Sequence, residues 1–336
     1  MKRSKTRFHR LQQFYSLLTT HSYWYNRAQS KALELQLNDL LSRRDYDIVL
    51  SEFAAMGHFD LDTDAIRILD AHNVEYDNFR RMSLLEWSAV RRKFYEREHK
   101  RSFQEEMSIF NKQTAVFATS ERDSEIIREN SSGVSHFVIP NGVDTGYFKP
   151  NASATEPFSM VFTGAMSYVP NVDGMIFFLK KIFPLVKRVI PEAKIYIVGG
   201  NPPPFLTRYR SDSVIITGYV DDVRPFIDRA GVYVVPLKMG SGTRLKVMEA
   251  LAMKKPIVST SIGCEGIDVK NEEHLFIRDE ADTFASAVIQ LMEDSRQQMK
   301  FSNNGYDLVK NKYDWKVIGD TIEESLDALQ KETYPV

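Results

Sequence analysis

The chain has 336 residues, with 44 Lys and Arg against 45 Asp and Glu, and its net charge of -1 gives no global argument for nucleic acid as a partner. Apolar content of 43% with 26% charged residues is that of a globular protein of about two domains, and no apolar run approaches the roughly 20 residues that span a membrane. One cysteine, Cys264, excludes an internal disulfide and a multi-cysteine metal site; it fits a reducing compartment, so a cytoplasmic setting is expected.

Charge is uneven at the start. Residues 1–31 carry Lys2, Arg3, Lys5, Arg7, Arg10, Arg27 and Lys31 and no acid, interleaved with Phe8, Leu11, Phe14, Tyr15, Leu17, Leu18, Tyr23, Trp24 and Tyr25. Two readings stand. The segment rests on anionic lipid at the inner face of the membrane as a peripheral contact. Alternatively it is a helix packed on its own domain, the favoured reading because a cationic face is commonly just solvated. It lacks the apolar core of a signal peptide.

Helix and strand then alternate. Residues 29–44 are expected to be helical, Tyr46 to Phe53 and Ala65 to Ala71 to be strands, and residues 75–109 to form one long charged helix with Phe79, Met82, Trp87, Val90 and Phe94 near helical spacing. A third strand is expected over Gln113 to Thr119. Ser120 is an N-cap for a helix at 121–130, where Glu121 is either a first-turn charge or a residue of the site. Ser135 to Ile139 is a short strand before Pro140-Asn141-Gly142-Val143-Asp144. Residues 149–157, bracketed by two prolines, are the linker candidate.

After the linker the pattern restarts. Strands are expected at Ser159–Thr163, Ala193–Val198, Ser213–Thr217, Val232–Val235 and Pro256–Ser259, and helices near 172–190, 221–229, 242–253, 280–300 and 314–330. Such alternation gives parallel sheets covered on both faces, whose ligands bind beyond the carboxyl ends of the strands. The expected fold is α/β: residues 1–150, residues 151–312, and a last helix in 313–336 that lies against either domain. The loop Met239-Gly-Ser-Gly-Thr-Arg-Leu-Lys246 is the densest signal. Its glycines let backbone N–H groups approach an anion, and Arg244 and Lys246 place two cations where a helix dipole disfavours them. Cys264 has no evident base partner, and Gly199-Gly200 lacks a dinucleotide fingerprint.

Four segments together resemble the retaining glycosyltransferases of family 4, group 1 glycosyl transferases of GT-B fold: Ile139–Phe148, Phe162-Thr163-Gly164, Thr217-Gly218-Tyr219-Val220, and Val235–Ala252 running on to Pro256. The wording Gly-Thr-Arg-Leu-Lys-Val-Met-Glu-Ala, with Ile262-Gly-Cys-Glu-Gly266 downstream, resembles a bacterial branch associated with surface polysaccharide synthesis. The resemblance implies two Rossmann-like domains facing a cleft, with an acceptor side in 1–150 and a nucleotide-sugar donor side in 151–312. It implies that Glu249 binds the ribose hydroxyls, that Gly218, Tyr219 and Val220 meet the base, and that Gly164 lies near the diphosphate. Arg244 and Lys246 are the candidates to neutralise the diphosphate. Ser241, Gly242, Thr243 and Leu245 line the donor, and His72 faces the donor sugar. A histidine closing a strand also has a plainer role, hydrogen-bonded to backbone. No metal cofactor is expected, and the acceptor is a saccharide or a lipid-linked one.

Three departures qualify the resemblance. Ser241 stands where many members carry the first glutamate of a Glu-x7-Glu pair. Ala165-Met166 follow Gly164, where arginine is frequent. The opening strand and glycine-rich loop of the N-domain are not recognisable, so that domain is read as incomplete, with a short sheet and an exposed edge. The expected activity is hexosyl-type transfer from a nucleotide diphosphate sugar with retention. The alternative is a catalytically silent nucleotide-binding subunit, or a chain completed by a partner.

Overall fold

A computed structural model describes residues 19–86, 88–151, 155–240 and 242–333. Trp87, Ser241 and the basic and aromatic side chains expected in residues 1–18 lie outside the described residues. The chain divides into two compact units, one of residues 1–139 with 323–336, the other of residues 140–322. The division at Ile139 and Pro140 replaces the expected boundary at 150, and Glu156 and Pro157, taken as linker, begin a strand.

The first unit holds a parallel sheet in the order β1 (Ile48–Glu52), β2 (Ile66–Ala71), β3 (Ala115–Ala118) and β4 (Ser135–Val138). The two-residue period of the strands separates two apolar layers. Leu69, Ala71, Val116 and Ala118 pack with Ile109, Phe110 and Ile127 on one face. Ile66, Ile68, Ala115 and Phe117 pack on the other with Leu326 and Leu329, from the end of the helix Trp315–Thr333. Among the described residues β1 and β4 are the edge strands. Ile48 and Leu50, in register with Ile66 and Ile68, are 39% and 54% exposed.

The helix expected over 75–109 is two helices, Glu75–Leu85 and Ala89–Phe110, with Glu86 and Ser88 extended between them. The second folds back along the first: Tyr76 meets Phe103 edge-on and Phe79 stacks on Tyr95. Met82 and Val90, two of the apolar residues near helical spacing, are 49% and 82% exposed. The buried face of Ala89–Phe110 carries glutamates instead, and their partners explain this. Glu106 accepts the backbone N–H of Glu75 at 3.0 Å and of Tyr76 at 2.7 Å. Glu98 accepts that of Tyr23 at 2.6 Å, and Glu105 that of Ser22 at 2.9 Å. Each carboxylate caps the start of another helix, where N–H groups lack intrahelical partners. Burial still pushes the Glu106 carboxyl up to about 8, against the pull of those two N–H bonds.

The second unit is a six-stranded parallel sheet in the order β10-β9-β8-β5-β6-β7. These are β5 (Glu156–Thr163), β6 (Lys194–Val198), β7 (Val214–Gly218), β8 (Ala230–Val235), β9 (Ile257–Ser259) and β10 (Phe276–Ile277). The chain enters at β5, moves outward through β6 and β7, then crosses back to β8 and out the other way. The direction therefore reverses between β5 and β8, the switch point where α/β sheets open a crevice at their carboxyl edge. The helix expected at 172–190 runs over Val169–Val189 with a wide turn at Phe178–Ile182. Pro184 follows it closely, and its missing N–H accounts for the widened turn before it. The helix expected at 280–300 is two, Ala281–Glu293 and Ser295–Lys312, because Asp294 caps the second through Arg296 and Gln297 N–H. Among the described residues no helix is long and apolar enough to cross a membrane.

Candidate functional site

The candidate site lies in the second unit, where β5 and β8 end. The loop after β5 begins at Gly164 and that after β6 at Gly199. A Cβ on Gly199 would fall 1.9 Å from the Gly164 carbonyl oxygen, so glycine alone lets the two strand ends close up. Both residues also have positive φ, +151° and +157°. Gly164 is crowded from the other side: a Cβ there would sit 2.6 Å from Lys246 Nζ and 2.7 Å from Asn171 Nδ2. The backbone after β5 is thus bare and lies against an ammonium group.

That ammonium comes from the helix Leu245–Ala252, whose first residue is later than the expected 242. Gly240 and Gly242 hold positive φ, 128° and 74°, and keep the loop out of helical geometry until Arg244, the N-cap residue. Lys246 is therefore in the first turn. Glu249 follows it by three residues and lies on the same face. Val247, Met248, Ala250, Leu251 and Ala252 are buried and fix the helix on the sheet.

Lys246 has neutral neighbours for direct contact. Nζ donates to Asn171 Oδ1 at 2.8 Å and lies 4.2 Å from the centre of the Phe162 ring. Burial lowers its pKa to about 7; the Arg244 charge adds to that lowering and Glu249 opposes it. The Glu249 carboxyl is pushed above its usual range by burial, with Lys246 pulling it back. Burial raises the Tyr233 phenol, with Glu249 adding to it, and the Tyr233 hydroxyl pairs with Thr163 Oγ1 at 2.5 Å beneath the site. Arg244 is 6% exposed; its Nε donates to the Ile262 carbonyl at 3.2 Å and Gly240 packs on its guanidinium. Through these contacts it braces the loop. The Thr243 hydroxyl is buried without a hydrogen-bond partner and packs against Gly266.

The structure thus brings Gly164, Thr243, Arg244, Lys246 and Glu249 together. Leu245, 47% exposed, opens the helix beside them. Gly218 ends β7, and Tyr219 after it is 78% exposed, while Val220 packs on the core. Ser241 lies outside the described residues. His72 belongs to the first unit, just after β2. Its Nε2 is 3.2 Å from Asp70 Oδ2, its ring lies 4.1 Å from that of Phe53, and its carbonyl accepts from Thr119. Glu121 is a first-turn residue of Glu121–Arg128, which Ser120 caps. The Ile139–Phe148 motif is structural: Val143 N–H donates to the Tyr313 carbonyl at 2.8 Å and Thr145 to Asp314. Asn171 has no signal in the sequence, because only folding brings it to Lys246.

Comparisons with known proteins bear on the fold of this unit. Residues 157–294 match the family model described as Glycosyl transferases group 1. A Klebsiella pneumoniae protein described as an uncharacterized 44.6 kDa protein in the cps region is 25% identical over 173 residues, 49% of this chain and 45% of its own length. The aligned region thus spans less than half of that relative. Among solved structures, sucrose-phosphate synthase from Thermosynechococcus elongatus superposes with a TM-score of 0.67 at 18% identity, covering 88% of this chain and 77% of its own. Anabaena Alr3699/HepE in complex with UDP gives 0.69 at 14% identity, over 88% and 82%. A glycosyltransferase from Rickettsia africae gives 0.66 at 15%, over 90% and 81%. The chain carries, in residues 157–294, a domain of the Glycosyl transferases group 1 family, within the fold of GT-B glycosyltransferases.

Proposed function

We propose that this chain transfers a hexose-type sugar from a nucleotide diphosphate sugar to an acceptor hydroxyl, with retention at the anomeric carbon. The observation that carries the proposal is a half-buried ammonium, Lys246, with no carboxylate bonded to it among the described residues, against the bare Gly164 backbone at the switch point. An anion fits there. Glu249, one turn further on the same face, would accept two O–H bonds from a vicinal diol such as a ribose. Gly218, Tyr219 and Val220 would meet the base, and Ser241, Gly242, Thr243 and Leu245 the sugar and phosphates. Arg244 would reach the diphosphate only if the Gly240 loop shifts.

In the reaction the bond from the anomeric carbon to the phosphate oxygen breaks and a bond to the acceptor oxygen forms on the same face. The acceptor proton passes to the departing phosphate. Charge on that phosphate is the quantity to stabilise, and Lys246 would do so. No metal enters this scheme. A role for His72 toward the donor sugar rests on the resemblance. The Klebsiella relative in the cps region supports a setting in polysaccharide or glycoconjugate synthesis, with a saccharide or lipid-linked acceptor. A cytoplasmic site and a peripheral lipid contact through residues 1–31 belong to the same reading.

The test is a panel of nucleotide sugars screened by thermal shift and calorimetry, with UDP first because solved neighbours hold it. Failure of every nucleoside diphosphate to bind would overturn the donor site. A second reading, a nucleotide-binding subunit that needs a partner chain, is favoured by the β1 edge, which has no strand beside it among the described residues, with Ile48 and Leu50 exposed. Slow donor hydrolysis without acceptor marks an active enzyme. Binding without turnover, relieved by a second chain, marks the subunit.

A further inference from the structure

Asn171 is 5% exposed and lies in the first turn of the helix Val169–Phe177, after Pro170. Its side chain makes two bonds in opposite directions. Oδ1 accepts from Lys246 Nζ at 2.8 Å, and Nδ2 donates to the Ala165 carbonyl at 2.9 Å. One amide therefore ties the loop after β5 to the helix after β8, on the two sides of the switch point. Gly164 leaves the space in which the three groups meet.

The chemical type of the tie matters. A carboxylate at this position would form an ion pair with Lys246 and cancel its charge. An amide oxygen orients the ammonium and brings no opposite charge. The other direct neighbour of Nζ, the Phe162 ring, is also neutral. We propose that Asn171 is a positioning residue of the anion site, holding Lys246 against the Gly164–Ala165 backbone while leaving its charge free for a diphosphate. The proposal rests on the reading of Lys246 as a diphosphate contact. The lowered pKa of Lys246 fits a buried ammonium bonded to a neutral oxygen.

A merely structural Asn171 would act through Ala165 alone. Asn171→Asp and Asn171→Ala both lose the donated bond to Ala165, yet they change the field at Lys246 in opposite senses. The experiment measures UDP affinity by calorimetry, and the pH midpoint of Lys246 acetylation by acetic anhydride, read by mass spectrometry. Thermal melts show that each variant is folded. Asn171→Ala is expected to weaken UDP binding about tenfold, the loss of one bond to a charged group, and to lower the acetylation midpoint. Asn171→Asp is expected to raise that midpoint by about a unit or more and also to weaken UDP, because its carboxylate takes the ammonium. Midpoints that stay at the wild-type value or move in the same direction overturn the proposal, as does wild-type UDP affinity in both variants. Lys246→Met separates the two levels. If it binds UDP as the wild type does, the diphosphate reading itself fails. If it loses affinity while both Asn171 variants keep theirs, only the role of Asn171 fails.

Discussion

Lys246 carries the charge on which the proposed donor site depends, and with burial bringing its pKa to about 7 that charge is half lost at neutrality. In the free protein the ammonium is present on about half the molecules at pH 7 and about one in eleven at pH 8. A diphosphate seated on Nζ favours the charged form and raises the bound-state pKa. The favourable contribution is then complete below the free pKa and is lost as pH rises toward the bound one. Binding should take up about half a proton at pH 7 and about nine-tenths of one at pH 8. Affinity should fall about fivefold across that interval, near 1 kcal/mol. Calorimetry with UDP in buffers of different ionisation enthalpy counts the protons directly. Lys246→Met supplies the baseline from the phosphate itself, whose last pKa of about 6 lies below the interval. Equal affinity at pH 7 and pH 8, with no proton taken up at pH 8, would refute the reasoning.

Glu249→Ala should weaken UDP binding by about tenfold or more, from the loss of two charge-assisted bonds, with the thermal midpoint little changed; unchanged affinity removes Glu249 from the ribose. Gly199→Ala places a Cβ against the Gly164 oxygen at a φ that L residues avoid, and should cost on the order of 3 kcal/mol by chemical denaturation. A loss under about 0.5 kcal/mol would show that the strand ends can part. Glu106→Ala uncaps two buried N–H groups at the start of Glu75–Leu85 and should cost about 1–3 kcal/mol, read as faster amide exchange at Glu75 and Tyr76. Tyr219→Ala, at an exposed side chain, should weaken UDP binding without moving the melt; equal affinity places the base elsewhere.

Strands were the legible part of this fold. A buried parallel strand is a short apolar run between turn residues, and Ser159–Thr163, Ala193–Val198 and Val232–Val235 all show one. Helix breaks were not legible. Neither glycine nor proline marks the breaks at Glu86–Ser88 and Asp294; long-range packing sets the first and a side-chain cap the second. At the site, the glycines and cations after β8 stand out because their chemistry is unusual for a helix start. Asn171 does not, since its partner is 75 residues away in sequence. The glutamates of Ala89–Phe110 carry no sequence signal of burial for the same reason: the N–H groups they serve belong to other helices.

The last helix has a consequence for how this chain can be taken apart. Trp315–Thr333 begins among the residues of one unit and ends by placing Leu326 and Leu329 in the core of the other. The first unit is therefore discontinuous along the chain, and no single cut releases both units intact. A fragment stopping at Ile139 lacks the two leucines that close one face of its sheet, whereas a fragment starting at Pro140 carries them with nothing to cover. Any attempt to express the units separately, or to graft one of them onto another protein, must carry the tail across with the unit it completes.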